Sequence, residues 1–393
     1  MQYRKFGKLD WKPSALGFGC MRLPLVDQNT AHIDEAEAIR MIRYAIDHGV
    51  NYVDTAAPYH SGSSEVVLGK ALNDGYRQKV KLATKLSPHM IKSASELDSF
   101  FNRQLERLQT DKIDFYLLHG LNKLSWKQMQ EWGAIQFAEG KIAANQIGYL
   151  GFSFHDDYPV FKEIIDAYDN WTFCQILYNY MDKDNQAGRR GLEYAAGKGL
   201  AVVIMEPIRG GLLARKPPEL VTKIWQTAPV DRSPAEWALQ WVWNQPEVSV
   251  VLSGMNTMQQ VVENIASAER SGPGKLTEEE LSLIDEVRKA YLGYSPIPCT
   301  KCLYCMPCPN EVAIPTVFGM FNDASMYDDF PRARLRYMGV IPPAGGLKES
   351  ERADKCQECG ECETKCPQQI PVQDWLKKVH QELFIKDFKP PHP

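Results

Sequence analysis

Short apolar runs alternate along this chain with longer stretches whose apolar residues recur every three or four positions. The short runs are Ala15–Cys20, Tyr52–Asp54, Val80–Lys85, Ile113–His119, Ile147–Ser153, Phe173–Leu177, Ala201–Glu206 and Val248–Leu252. Their near-continuous hydrophobicity is that of strands buried on both faces. The stretches between them, Glu35–His48, Glu65–Asn73, Ala94–Leu108, Trp126–Glu139, Pro159–Tyr168, Arg189–Lys198, Pro234–Asn244 and Met258–Arg270, carry the helical period. Eight strand–helix units in about 270 residues predict a (β/α)8 TIM barrel. A doubly wound sheet is the competing arrangement, but no G-x-G-x-x-G turn follows the first strand, only Gly17 and Gly19.

One more helix is predicted at Thr277–Leu292, with Glu278, Glu279 and Glu280 in its first turn, where carboxylates complement the helix dipole. Ser295, Pro296 and Pro298 then interrupt the pattern. Beyond them, helical patterns occupy Thr316–Asp323 and Pro371–Ile385, and Pro342–Gly346 has the composition of a turn. The length, 393 residues, exceeds what one hydrophobic core usually serves. The expectation is therefore a barrel over residues 1–294 and a small α-rich domain over 295–393.

Composition narrows the function classes. A net charge of −4 supplies no basic field for nucleic acid or anionic lipid, and no apolar stretch approaches a membrane span. The N-terminus lacks the apolar region of a secretory signal. Eight of the ten cysteines are clustered, which in a chain without such a signal argues for metal ligation in a reducing cytoplasm rather than for disulfides. Cys20 and Cys174 lie in apolar runs and read as buried small hydrophobes.

The clustered cysteines form two runs: Cys299, Cys302, Cys305 and Cys308 before Pro309, and Cys356, Cys359, Cys362 and Cys366 before Pro367. The second reads C-x2-C-x2-C-x3-C-P, and the first has one residue fewer before its last cysteine. This resembles a bacterial two-cluster ferredoxin, in which three cysteines of one run hold a cluster and the fourth crosses to the other. The resemblance implies two [4Fe–4S] clusters, one on Cys299, Cys302, Cys305 and Cys366, the other on Cys356, Cys359, Cys362 and Cys308. Two four-cysteine zinc sites are the alternative.

Barrel enzymes place their chemistry at the C-terminal ends of the strands. Asp54, Lys85 and His119 end the second, third and fourth runs, and Tyr59 lies just beyond the second. Each has an ordinary explanation alone: a turn former, a surface charge, a satisfied imidazole, a packing ring. Together, in N-Y-V-D-T-A-A-P-Y-H, V-K-L-A-T-K and F-Y-L-L-H, they resemble the catalytic tetrad of the aldo-keto reductase superfamily, over roughly Met1–Arg270. The chemistry is intelligible in itself. A phenol is a weak acid at neutral pH, and a nearby ammonium stabilises the phenolate. Lys85 supplies that charge, Asp54 orients Lys85, His119 hydrogen-bonds a substrate carbonyl, and Tyr59 delivers the proton.

The same resemblance implies a nicotinamide nucleotide, NADP(H) or NAD(H), and a small carbonyl substrate. Ser153 and Gln175 correspond to ligands of the nicotinamide carboxamide, although Phe154 and His155 stand where relatives have a neighbouring Asn. Met205 occupies the usual place of a stacking aromatic. Gly210, Gly211 and Arg209 suit a pyrophosphate. Ser253, Gly254, Asn256, Gln260, Glu263 and Asn264 correspond to the adenosine-binding loop and helix, with Gly254 and Gln260 where relatives that prefer NADPH often carry Lys or Arg.

The two halves sit in chemical tension. Nicotinamide passes electrons in pairs, iron–sulfur clusters pass them singly, and no flavin site is legible between them. The clusters feed or drain electrons during turnover, receive a ferredoxin-type partner, or stabilise their domain. A different class stays open as well: an electron-transfer or redox-sensing protein whose barrel binds nucleotide while its clusters exchange electrons with a partner.

Overall fold

A computed structural model describes residues 1–27, 29, 31–299, 304–340, 347–366 and 368–386. Eight parallel strands close into a barrel in chain order. They are β1 (Leu16–Gly19), β2 (Tyr52–Asp54), β3 (Lys81–Leu86), β4 (Ile113–Leu121), β5 (Ile147–Phe154), β6 (Phe173–Leu177), β7 (Ala201–Met205) and β8 (Val248–Ser253). They differ from the expected runs only at their ends.

Side chains alternate across a strand, and this parity decides what enters the barrel. Tyr52, Ala83, Phe115, Leu117, Phe173, Ala201, Val203, Val250 and Leu252 pack in one interior cluster together with Phe6. Phe6 comes from the N-terminal segment, where it is bridged to Leu9, and its ring lies 4.8 Å from Phe115 and 5.6 Å from Phe173. Two-residue steps along the same faces lead from Tyr52 to Asp54, from Ala83 to Lys85, from Leu117 to His119, from Gly151 to Ser153, from Phe173 to Gln175 and from Val203 to Met205. The parity that fills the barrel with apolar groups thus turns these polar residues toward its axis at the C-terminal end. The opposite strand faces, with Val53, Leu82, Tyr116, Phe152, Cys174 and Val251, pack against Met41, Phe101, Leu239 and Trp243 of the surrounding helices.

Three departures from expectation have local causes. The stretch expected as one helix at Trp126–Glu139 is two, Lys123–Glu131 and Ala134–Ala143, parted at Gly133, whose φ of 65° no helix accommodates. Asn122 starts the first with a capping box to Ser125. A helix at Glu219–Trp225 follows β7, where no period had marked one. A short helix, Phe330–Tyr337, begins at a proline and carries too many arginines to show an apolar stripe.

The chain divides into two compact units. One comprises Met1–Ala214 and Asp231–Leu281; the other comprises Arg215–Val230 and the described residues from Ser282 onward. The second unit has its own core, in which Ile297, Val317, Phe318, Phe321, Tyr337, Leu376, Val379 and Leu383 surround the half-buried cysteines. Its helices include Ile314–Tyr327 and Val372–Leu383. The expected turn at Pro342–Gly346 lies outside the described residues, as does Cys302. No helix among the described residues is long and apolar enough to cross a membrane.

Candidate active site and cysteine cleft

The four residues singled out at the strand ends meet in space. Lys85 Nζ donates to Asp54 Oδ1 at 2.6 Å and to the Thr55 carbonyl at 2.8 Å, with both side chains of the pair buried. The same ammonium lies 4.9 Å from the Tyr59 ring centre and hydrogen-bonds its hydroxyl. The His119 ring stands edge-on to Tyr59 at 6.0 Å.

The loop carrying Tyr59 is held from several sides. His60, Ser61 and Gly62 all have left-handed backbones, with φ of 52°, 55° and 99°. Such a run persists only where its surroundings over-determine it. Here His60 Nε2 accepts the Leu23 N–H at 3.1 Å, and Ser64 Oγ bonds both Thr55 Oγ1 and the Cys20 carbonyl. Behind Lys85, the buried Gln104 donates to the Lys85 carbonyl at 3.0 Å and to Glu65 Oε1 at 2.8 Å.

Burial pushes the Tyr59 phenol above its ordinary range; the Lys85 ammonium opposes this, in the direction expected of it, and Asp54 adds to the rise. Burial alone would lower Lys85, but Asp54 and Tyr59 reverse that and hold it charged. Burial raises Asp54, against the pull of Lys85. His119 is held well below the usual imidazole value by burial, then by Lys85, His89 and His155, and is neutral.

Around the barrel end, Gln175 is buried, and its Oε1 has no hydrogen-bond partner, while its Nε2 lies 4.0 Å from Met205 Sδ. A buried carbonyl oxygen left unpaired is costly, and the carboxamide of a nicotinamide is a group with N–H donors to satisfy it. The residues present therefore fit such a cofactor. Ser153 Oγ accepts the Gly120 N–H at 2.7 Å, which leaves its own O–H to donate. Gly211 has φ 97°, but Arg209 is not open as expected: Asp182 takes its Nε at 2.8 Å and a second nitrogen at 3.2 Å. Ser253 accepts from Asn264 at 3.0 Å, and Gln260 Oε1 accepts the Asn256 N–H at 2.9 Å, while Glu263 pairs with Gln259.

Two residues near the site escaped sequence reasoning. Arg22, in the loop after β1, runs alongside Gly254: a β-carbon on that glycine would lie 3.2 Å from Arg22 Cβ and 3.5 Å from its Cδ. Nothing in the sequence signals that approach, since residues 22 and 254 meet only through closure of the barrel between β1 and β8. Ser87, buried, lies 2.6 Å from His119 Nδ1. Its signal was available, because it stands two residues beyond Lys85 and shares its strand face.

In the second unit one cleft is lined by Cys305, Cys308, Cys356, Cys359 and Cys362, together with Gly360, Lys365 and Gln373. Two cysteines of the first run, Cys305 and Cys308, thus lie with three of the second, although Cys305 was expected on the other cluster. Cysteines from two sequence-distant runs on one cleft are a donor set suited to an iron–sulfur cluster. Among the described residues, no three His, Cys, Asp or Glu side chains are gathered so as to hold a single metal ion.

Comparison with known proteins finds two families along the chain. Residues 15–289 match the Aldo/keto reductase family, and residues 298–371 match a 4Fe-4S dicluster domain. The chain is 28% identical over 313 residues to L-galactose dehydrogenase of Arabidopsis thaliana, spanning 73% of this chain and 94% of the relative. It is 27% identical over 293 residues to methylglyoxal reductase YeaE of Escherichia coli, spanning 70% and 94%. The holo form of aldo-keto reductase AKR11C1 from Bacillus halodurans superimposes with a TM-score of 0.61 at 30% identity, over 73% of this chain and 96% of that one. An aldo/keto reductase from Klebsiella pneumoniae in complex with NADP and acetate gives 0.57 at 25% identity, over 73% and 95%.

Proposed function

The chain belongs to the aldo/keto reductase family and carries a 4Fe-4S dicluster domain, and from that premise we propose that it reduces the carbonyl of a small molecule to an alcohol with NADP(H) or NAD(H). The observation that carries this reading is the buried Asp54–Lys85 pair set against Tyr59 and His119. Bound nicotinamide supplies the hydride. Gln175 and Ser153 are the residues to hold its carboxamide, with Met205 beside them. Tyr59 holds the proton destined for the substrate oxygen. Its raised pKa keeps it protonated at neutral pH, and the adjacent Lys85 ammonium stabilises the phenolate that remains after transfer. Asp54 keeps that ammonium charged and fixed. His119, being neutral, offers a hydrogen bond to the same oxygen without competing as an acid. Arg22 beside Gly254 brings a cation to the adenosine loop that the loop's own sequence lacks, and this favours the nucleotide with a 2′-phosphate.

In the same reading, residues 1–294 form the reductase and 295–393 bind two [4Fe–4S] clusters, Cys308 serving the cluster of Cys356, Cys359 and Cys362. Whether the clusters exchange electrons with the nucleotide is decided by adding NADPH anaerobically and following their visible absorption; bleaching couples the two chemistries and favours an electron-transfer role.

The deciding experiment on the barrel is Tyr59→Phe. Turnover of methylglyoxal, used as a carbonyl probe, is expected to fall by at least about 100-fold, the scale of a lost general acid. NADPH affinity by fluorescence titration should be unchanged. Undiminished turnover would sink the assignment.

A further inference from the structure

We propose that Ser87 is a positioning residue that fixes the tautomer of His119, so that the Nε2 nitrogen carries the proton and donates it in a hydrogen bond to the substrate oxygen. The inference rests on the reading of the barrel as a carbonyl-reducing site, and adds to it a residue that the tetrad does not contain.

Hydrogen-bond accounting carries it. β3 and β4 run parallel, with Lys85 beside Leu117 and Leu86 beside Leu118. Continuing that register by one step places Ser87 beside His119, and Ser87 is still extended there, with φ −94° and ψ 110°. Its hydroxyl is fully buried, 2.6 Å from His119 Nδ1, and has no other hydrogen-bond partner among the described residues. Two proton arrangements fit that distance. In one, Nδ1–H donates to Ser87, whose own O–H, on a fully buried residue, then has no acceptor. In the other, Ser87 O–H donates to a bare Nδ1, and no buried donor is stranded. An unmade buried hydrogen bond is penalised by its full desolvation, so the second arrangement prevails. A neutral imidazole has one N–H, and with Nδ1 accepting, that N–H is on Nε2.

The surroundings act in the same direction. The Lys85 ammonium, His89 at 6.3 Å between ring centres, and His155 at the end of β5 all face His119, and each disfavours a second proton on its ring. Had the tautomer been the other one, Nε2 would be a lone pair pointed at a carbonyl oxygen, a repulsive contact, and His119 would hinder the substrate that Tyr59 protonates.

The test compares Ser87→Ala with Ser87→Thr in the full chain with its clusters in place. Nitrogen NMR of the labelled wild-type protein should show His119 protonated at Nε2, with Nδ1 as hydrogen-bond acceptor. In Ser87→Ala the acceptor signature at Nδ1 should disappear. There kcat for methylglyoxal should fall about ten-fold, the scale of a lost orienting contact, with NADPH affinity unchanged. Ser87→Thr, which keeps the hydroxyl, should restore both the signature and most of the rate. Finding wild-type His119 protonated at Nδ1 overturns the proposal whatever the rates. So does a Ser87→Ala protein with wild-type turnover. If Tyr59→Phe retains activity while the NMR result stands, it is the carbonyl-reducing reading that has failed, and not the tautomer.

Discussion

At the scale of single residues, the site depends on a few buried polar groups that hold one another in a particular charge state. Asp54 and Lys85 are stable inside the barrel only as a pair, since either alone would be an uncompensated buried charge. The histidines bear on stability differently. His119, His89 and His155 are all lowered from the ordinary value of 6.5 by burial first, and His119 also by its cationic and imidazole neighbours. The unfolded chain takes up protons on them near pH 6.5, whereas the folded chain resists. Below that pH the unfolded state therefore binds more protons, so stability is complete above it and declines as pH falls through it. Melting temperature should drop between about pH 7.5 and about pH 5.5, and replacing His119 with Gln should flatten the dependence. A melting temperature indifferent to pH over that range would contradict the buried neutral imidazoles.

At the scale of elements, strand parity does most of the positioning. The runs ending in Asp54, Lys85 and His119 were readable, but near-continuous hydrophobicity does not say which face turns inward; the closed barrel shows it to be the face of Tyr52, Ala83 and Leu117. The interior leaves little slack. A β-carbon on Gly151 would lie 2.5 Å from the Phe173 ring and 2.6 Å from its carbonyl oxygen. Gly151→Ala should lower stability by about 1–3 kcal/mol, the usual cost of overpacking a filled core, read as a shift in the denaturant midpoint. Loops were less legible than strands. Arg209 looked like a phosphate ligand from its sequence neighbours, Gly210 and Gly211, but Asp182, 27 positions away, claims its guanidinium. Arg22 had no such look, yet it lies along Gly254. Arg22→Ala should weaken NADPH binding about ten-fold, as for one lost charge-assisted hydrogen bond, and leave NADH binding unchanged. Equal losses for both nucleotides would remove Arg22 from 2′-phosphate recognition.

At the scale of the whole molecule, two separate hydrophobic cores accompany two different chemistries. The second core is built around cysteines, so iron ligation and folding are linked there. The intact protein should contain about eight iron atoms, the number two four-iron clusters require. Removing them with a chelator should abolish the melting transition of the cysteine-bearing unit and leave that of the barrel. Zinc in place of iron would overturn the cluster assignment. The sequence by itself determined the eight strands, the tetrad candidates and the two cysteine runs, because periodicity and spacing are local properties of the backbone. Only the tertiary structure decided which strand faces turn inward, that Arg22 runs along Gly254, that Arg209 is taken by Asp182, and that Cys305 joins Cys308 on the cleft with Cys356, Cys359 and Cys362. Barrel closure and helix packing bring together residues whose separation along the chain carries no signal. The charge states of the buried side chains, too, emerged only there, since burial outweighs the Lys85 field at Tyr59 and no spacing rule measures burial.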